Sequence, residues 1–188
     1  MTAAPKQQST SPLLKLPAEL RDAIYTLALV DDEPIYISLP EPARPLSLRE
    51  PALLAVNRQI RNETLPIYYG TNIFEPRSSV TTENFLRLLG SGRIALLKSL
   101  RAFARIGHCS RDGATAAAEI AWWKKWLLQR VTQWQQTFGE VLEAEAVHVP
   151  LLVGRDEWLW VPSSELREWV GEARDGRILW RKGEIGGV

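Results

Sequence analysis

The sequence predicts an α+β domain: helices packed around a small, mostly antiparallel sheet, with one long amphipathic helix. Three observations carry this. Two helix-like blocks stand near the N-terminus, Leu13 to Leu29 and Leu53 to Phe74. A third segment, from about Ala114 to Phe138, repeats apolar residues every three or four positions. Short alternating runs such as "PIYISLP", "AVHVPLLVG" and "EWLWVP" read as strands scattered between them.

Taken in order, residues 1 to about 11 are small and polar and read as a disordered tail. The single domain then runs from 12 to 188, with one part over 12–76 and a Trp-rich part over 77–188. Pro17 suits the first turn of a helix, and Glu19 complements its dipole. Leu16, Leu20, Ile24 and Leu27 form one apolar stripe ending near Leu29. Ile35, Ile37 and Leu39 alternate as a short strand, and "PEPARPLS" is a Pro-rich loop. A second helix opens near Pro51 and runs to about Thr64, with Leu53, Val56 and Ile60 inward, and Pro66 ends or kinks it. A turn at Gly70 leads to a strand over Asn72 to Glu75.

Further on, "TTENFLRLLG" is a short helix capped by Thr81 or Thr82 and stopped at Gly90. Gly92 to Leu97 reads as helical, and Leu100, Phe103 and Ile106 as a strand. The long helix places Ile120, Trp123, Leu127, Val131, Trp134 and Phe138 on its inner stripe. Ser163 caps a helix through Ala173, and "GRILWRKGEI" is a terminal strand. No internal repeat is evident.

Composition narrows the function classes. Apolar residues make up 45% and charged residues 24% of the 188, as in ordinary globular proteins. The net charge is +1, split as +3 up to residue 110 and −2 beyond, so no global field selects nucleic acid or anionic lipid. A single cysteine, Cys109, excludes a disulfide framework and any site needing two thiolates, and fits a reducing compartment. The opening "MTAAPKQQSTSP" has no apolar core of a secretory signal, and no apolar run is long enough to span a membrane. An intracellular location, cytoplasmic or nuclear, is therefore expected. In that setting Asn62-Glu63-Thr64 is a chance sequon.

Catalytic and metal motifs are not expected. His108 and Cys109 are adjacent, but neighbours on a strand point apart and no orienting partner is identifiable. His148 sits within an apolar strand as a half-buried residue with a hydrogen bond. Glu143 and Glu145 are paired carboxylates that nothing else supports. Two histidines and one cysteine without ligand spacing give no metal site, and no cofactor motif is present.

The two N-terminal blocks carry a resemblance. Leu16, Pro17, Glu19, Leu20, Arg21, Ile24 and Tyr25 fit a pattern Leu-Pro-x-Glu-Leu-Arg-x-x-Ile-Tyr. Leu53, Leu54, Val56, Arg58, Gln59, Ile60, Arg61 and Glu63 fit a second block, and Tyr69, Gly70, Asn72 and Phe74 fit its tail. Together they resemble the fungal F-box-like family of small intracellular proteins, over roughly residues 13 to 76. The resemblance implies an interaction module whose Leu-Pro helix lies in a groove of a Skp-type adaptor of a cullin–RING ubiquitin ligase, while the rest recruits a second protein. Leu16, Pro17, Leu20, Ile24 and Tyr25 are then the contact candidates, although the same stripe also serves a core-facing helix. About 20 residues between Leu29 and Pro51 separate blocks that follow closely in ordinary F-box modules.

The charged residues of these blocks have two readings. Arg21, Arg58, Arg61 and Glu63 form either an internal polar network tying the helices or a basic site for an acidic group, the network being the simpler. Tyr25, Tyr68 and Tyr69 read as core aromatics with satisfied hydroxyls. All eight tryptophans lie beyond residue 120. Trp122, Trp123 and Trp126 alternate with Lys124, Lys125 and Arg130, but helical spacing separates them into a stripe and a solvated face, so nucleic acid is not expected there. Trp122 and Trp126 at the stripe's edge suit a protein partner. The alternatives are a free-standing binding or structural protein without ligase role, or a small ligand-binding protein or enzyme with a pocket lined by Trp122, Trp126, Trp158 and Trp160.

Overall fold

The computed structural model describes residues 11–38, 50–102, 113–138, 142–152, 157–174 and 177–183. The tail over 1–11 therefore lies almost wholly outside the described residues. So do Leu39, Phe103, Ile106, His108 and Cys109.

A five-stranded sheet runs in the order β1 (Ile35–Ile37), β2 (Phe74–Pro76), β3 (Leu100–Arg101), β4 (Val147–Leu152), β5 (Trp158–Pro162). Its first four strands are parallel, and only β5 is antiparallel to β4. The α+β class stands, but the mostly antiparallel sheet does not. Parallel neighbours need crossover connections, and helices supply each one. α2 (Arg58–Thr71) joins β1 to β2. α3 (Ser79–Leu89) with α4 (Ser91–Ile94) joins β2 to β3, and α5 (Gly113–Phe138) joins β3 to β4. Strands of two or three residues carry too little pattern to show direction. The helices between them are the sequence signal that was available.

A second sheet is the antiparallel pair β6 (Trp169–Arg174) and β7 (Arg177–Lys182). The helix expected from Ser163 to Ala173 is instead a 3-10 turn over Ser163–Glu168 followed by β6. Leu166 and Trp169 are buried there, and pairing along β7 holds the chain extended. Gly171 has a packing reason: a Cβ at this position would come within 2.7 Å of Ile120 Cγ2 on α5.

α1 (Ala18–Leu29) ends where the stripe predicted. The second block differs from expectation. A 3-10 turn at Ala52–Ala55 precedes α2, whose N-cap Asn57 accepts a hydrogen bond from the Ile60 amide. α2 then runs through Pro66 to Thr71, and Val56 faces solvent rather than the core. α3 is capped by Ser78, not by Thr81 or Thr82, which are buried; Gly90 ends it with φ of 68°.

Two apolar clusters fill the interior. The first centres on Phe74, with Tyr68, Tyr69 and Phe85 at ring-centre distances of 5.5–5.6 Å. The second gathers Val149, Leu151, Val161, Leu166, Trp169, Ile178 and Trp180. α5 spans both, giving Val131 and Trp134 to the first and Ala116 and Leu127 to the second. Among the described residues no helix is long and apolar enough to cross a membrane.

The expectation of no internal repeat is corrected here. A 3-10 turn at Pro12–Lys15 leads into α1 as the turn at Ala52–Ala55 leads into α2. Leu13, Leu14, Leu16, Leu20 and Arg21 correspond to Leu53, Leu54, Val56, Ile60 and Arg61, each forty residues on.

Candidate functional site

α1 packs on α2 as an outer layer. Its inner ridge is Arg21, Tyr25 and Leu29, spaced by four. Tyr25 is fully buried, so it leaves the set of partner-contact candidates. The neighbouring ridge faces solvent: Leu20 is 53% exposed, Ile24 41% and Leu27 88%. Pro17 is exposed at the helix start, and Leu16 is half-buried with its carbonyl accepting from Arg21 Nη1 at 2.7 Å. Leu27 was placed on the stripe from its spacing but not among the contacts. It is the most exposed large apolar side chain among the described residues.

The polar residues of the two blocks form two carboxylate-centred nodes. At the first, Arg21 grips Glu63 with two bonds, Nε to Oε2 at 3.0 Å and Nη2 to Oε1 at 2.6 Å. The Tyr25 hydroxyl donates to the same carboxylate at 3.0 Å, and Gln59 Nε2 at 3.1 Å. Donation from Arg21, then from Gln59, pulls Glu63 down to about 2 from the usual 4.5. Burial first, and then the Glu63 hydrogen bond, push the Tyr25 hydroxyl up. Four N–H and O–H donors converging on one carboxylate make a tether between α1 and α2.

The second node is Glu50. It accepts from the Tyr69 hydroxyl at 2.7 Å and stands 2.9 Å from Arg93 Nε, an ion pair by distance rather than an aligned hydrogen bond. Arg61 Nη2 lies 3.9 Å away, while Arg61 Nη1 donates to the Leu54 carbonyl at 3.0 Å. The expected four-residue network is thus corrected. Arg21 and Glu63 pair, Arg61 belongs to the other node, and Arg58 is exposed with no ion pair or hydrogen bond among the described residues. Helical spacing puts Arg58 and Arg61 on one side, but Arg58, the first residue of α2, is exposed, while Arg61 a turn later reaches the Leu54 carbonyl and Glu50. Glu50 was missed because it precedes the matched block.

Buried Asn72 closes the unit. Its Nδ2 donates to the carbonyls of Leu29 and Tyr68 at 2.8 and 2.9 Å, and its Oδ1 accepts from the Asp31 amide at 2.9 Å. It thereby satisfies the C-terminal carbonyls of both helices. Most residues of the two N-terminal blocks thus serve internal structure, while Leu20, Ile24 and Leu27 stand exposed on the other ridge of α1.

In the C-terminal half, Trp122 is exposed and edge-on to Trp123, and Trp126 is half-buried with Arg130 over its ring at 5.5 Å. Lys124 is not simply solvated: its Nζ donates to the carbonyls of Arg167 and Trp169 at 2.9 and 2.7 Å, pinning α5 to β6. Trp126 packs on α5 against the cluster of Val149, Leu151 and Val161, whereas Trp158 and Trp160 alternate with Val161 and so fall on the other face of the sheet. A small cavity, with room for about one water, lies between α5 and β4 against Trp126, Arg130, Trp134 and Val149. Buried Trp134 Nε1 has no hydrogen-bond partner among the described residues. His148 is half-buried with Nδ1 3.3 Å from the Ala146 carbonyl, and burial lowers its pKa. Glu143 pairs with Lys98 at 3.0 Å, and Glu145 is exposed. Among the described residues no three His, Cys, Asp or Glu side chains are grouped as a metal site.

The chain matches no family model, no curated protein and no solved structure.

Proposed function

We propose that the chain is a protein-interaction module that seats a Skp-type adaptor on the outer ridge of α1 and recruits a second protein to a cullin–RING ubiquitin ligase. The observation that carries this reading is Leu20, Ile24 and Leu27, exposed at helical spacing on a helix whose other ridge is firmly buried. A helix presented this way needs no rearrangement to lie in an apolar groove. Pro17, just before α1, is exposed as well. Trp122 and Trp126, on the Trp-rich half, are the surface offered to the second protein.

A second reading draws on β1. The segment between the blocks contributes a strand paired with β2, which builds α1 and α2 into the sheet rather than into a free helical bundle. This favours a free-standing binding module with no adaptor.

The test is calorimetric titration of the full chain with a purified Skp-type adaptor, beside a Leu20→Asp/Leu27→Asp variant. Binding at micromolar affinity or tighter is expected for the wild-type chain. The variant should lose it while keeping its circular dichroism and melting temperature. No binding by the folded wild-type chain sinks the adaptor reading and leaves the free-standing module.

A further inference from the structure

The five-stranded sheet has a second face of different chemistry. Tyr36 on β1 pairs with Glu75 on β2, and Arg101 on β3 pairs with His148 on β4. Alternation along the strands places Trp158 and Trp160 on the same side, and Arg77 just beyond β2 closes over Tyr36. None of these residues belongs to either apolar cluster.

Two arginines on this face share one geometry. The Arg77 guanidinium lies 5.5 Å from the Tyr36 ring centre, and that of Arg101 lies 5.0 Å from the Trp160 ring. Neither guanidinium makes a hydrogen bond among the described residues. Arg101 Nη1 stands 3.7 Å from Glu75 Oε2, an ion pair too long for a hydrogen bond. A guanidinium laid against a ring has little freedom left to lose; Arg77 is exposed, whereas the Arg101 side chain is 26% exposed and turns one edge toward Glu75. The two come from neighbouring chain segments one pleat step apart, a diagonal of roughly 7–8 Å. Tyr36, 55% exposed, and Trp158, 47% exposed, flank them across four interstrand spacings, about 19 Å, with Trp158 also four residues, about 13 Å, further along the strand direction.

We propose that this sheet face binds single-stranded nucleic acid, with Arg77 and Arg101 on phosphates and Tyr36, Trp158 and the guanidinium planes under bases. The two cations outnumber Glu75, the carboxylate in the same row. A phosphorylated peptide would use the arginine edges but leave the exposed rings without a role, and a duplex presents no free base faces. The α5 tryptophans and lysines take no part.

The experiment is fluorescence anisotropy of the full chain with labelled oligothymidylate and oligouridylate of about ten nucleotides. Controls are the matching duplex, inorganic phosphate and a tyrosine-phosphorylated peptide. Saturable single-strand binding tighter than about 100 μM at low salt is expected, with log affinity falling against log salt at a slope of about −1.4 for two phosphate contacts. Arg77→Gln/Arg101→Gln should weaken it at least about tenfold and flatten the slope. Trp158→Ser should weaken it about fivefold or more by loss of one stack. Circular dichroism checks both variants, and Trp158→Ser decides alone if the arginine pair fails to fold. The proposal is overturned by no saturable binding, by binding that folded variants leave unchanged, or by a phosphopeptide that binds through these arginines when neither oligomer does.

Discussion

The α1 unit and the α2 unit begin with the same local pattern and end in different environments. Each has a 3-10 turn and a helix, and in each the arginine at the fourth helical position donates back to a carbonyl of the preceding segment, but only α2 has a side-chain cap, from Asn57. Each also turns one ridge inward, Arg21–Tyr25–Leu29 in α1 and Arg61–Leu65–Tyr69 in α2. The adjoining ridge separates them. Ile60, Thr64 and Tyr68 are buried in α2, whereas Leu20, Ile24 and Ala28 at the corresponding places are exposed. α2 is a crossover helix held between the sheet and α1, so two of its sides are covered. α1 is the outer layer, covered on one. The same apolar residue type thus builds core in one helix and open surface in the other.

The sharpest break of this comparison is truncation at equivalent positions. Ile60→Ala, at 2% exposure, should cost about 2–5 kcal/mol in urea denaturation, whereas Leu20→Ala should stay within about 0.5 kcal/mol. Equal losses would mean that α1 is covered as α2 is. Next comes the joint between the units. Asn72→Ala strands two helix-end carbonyls and the Asp31 amide, an expected loss of about 1–3 kcal/mol by the same assay. Tyr25→Phe removes one hydrogen bond to Glu63 without changing the packed ring, and should cost about 1 kcal/mol.

The smallest effect concerns pH. Glu63 is held below its unfolded value, so its contribution is fully present above about pH 4.5 and is lost as the pH falls toward about 2. Melting temperatures from pH 6 to 2.5 should fall less steeply for Glu63→Gln than for the wild-type chain across that window. Parallel slopes would remove Glu63 from the tether.

Much of this was legible beforehand where pattern is local. The α1 boundary at Leu29, the span of α5 and its stripe, β4, β5 and β7 all follow from periodicity over enough residues to fix a phase. Strands of two or three residues do not, which is why the parallel order was missed. "EWVGEA" has ordinary helical composition until β7 supplies a partner. For the candidate site, the stripe Leu20–Ile24–Leu27 was readable, but its direction was not. Spacing makes Arg58 and Arg61 equivalent, and only the folded partners of Arg61, the Leu54 carbonyl and Glu50, separate them.

By itself the sequence determined the α+β class, the long amphipathic helix, the apolar ridge of α1 and the want of a second thiol, because each depends on spacing or on residue count alone. Only the tertiary structure decided the parallel sheet order, which ridge of each helix is covered, the pairing of Arg21 with Glu63 and of Tyr69 with Glu50, and the row of arginines and rings on the sheet's second face. The physical reason is that burial and pairing belong to contacts between segments far apart in the chain. A residue's own neighbours fix its helical phase, but the layer that arrives from elsewhere determines whether that phase faces core or water.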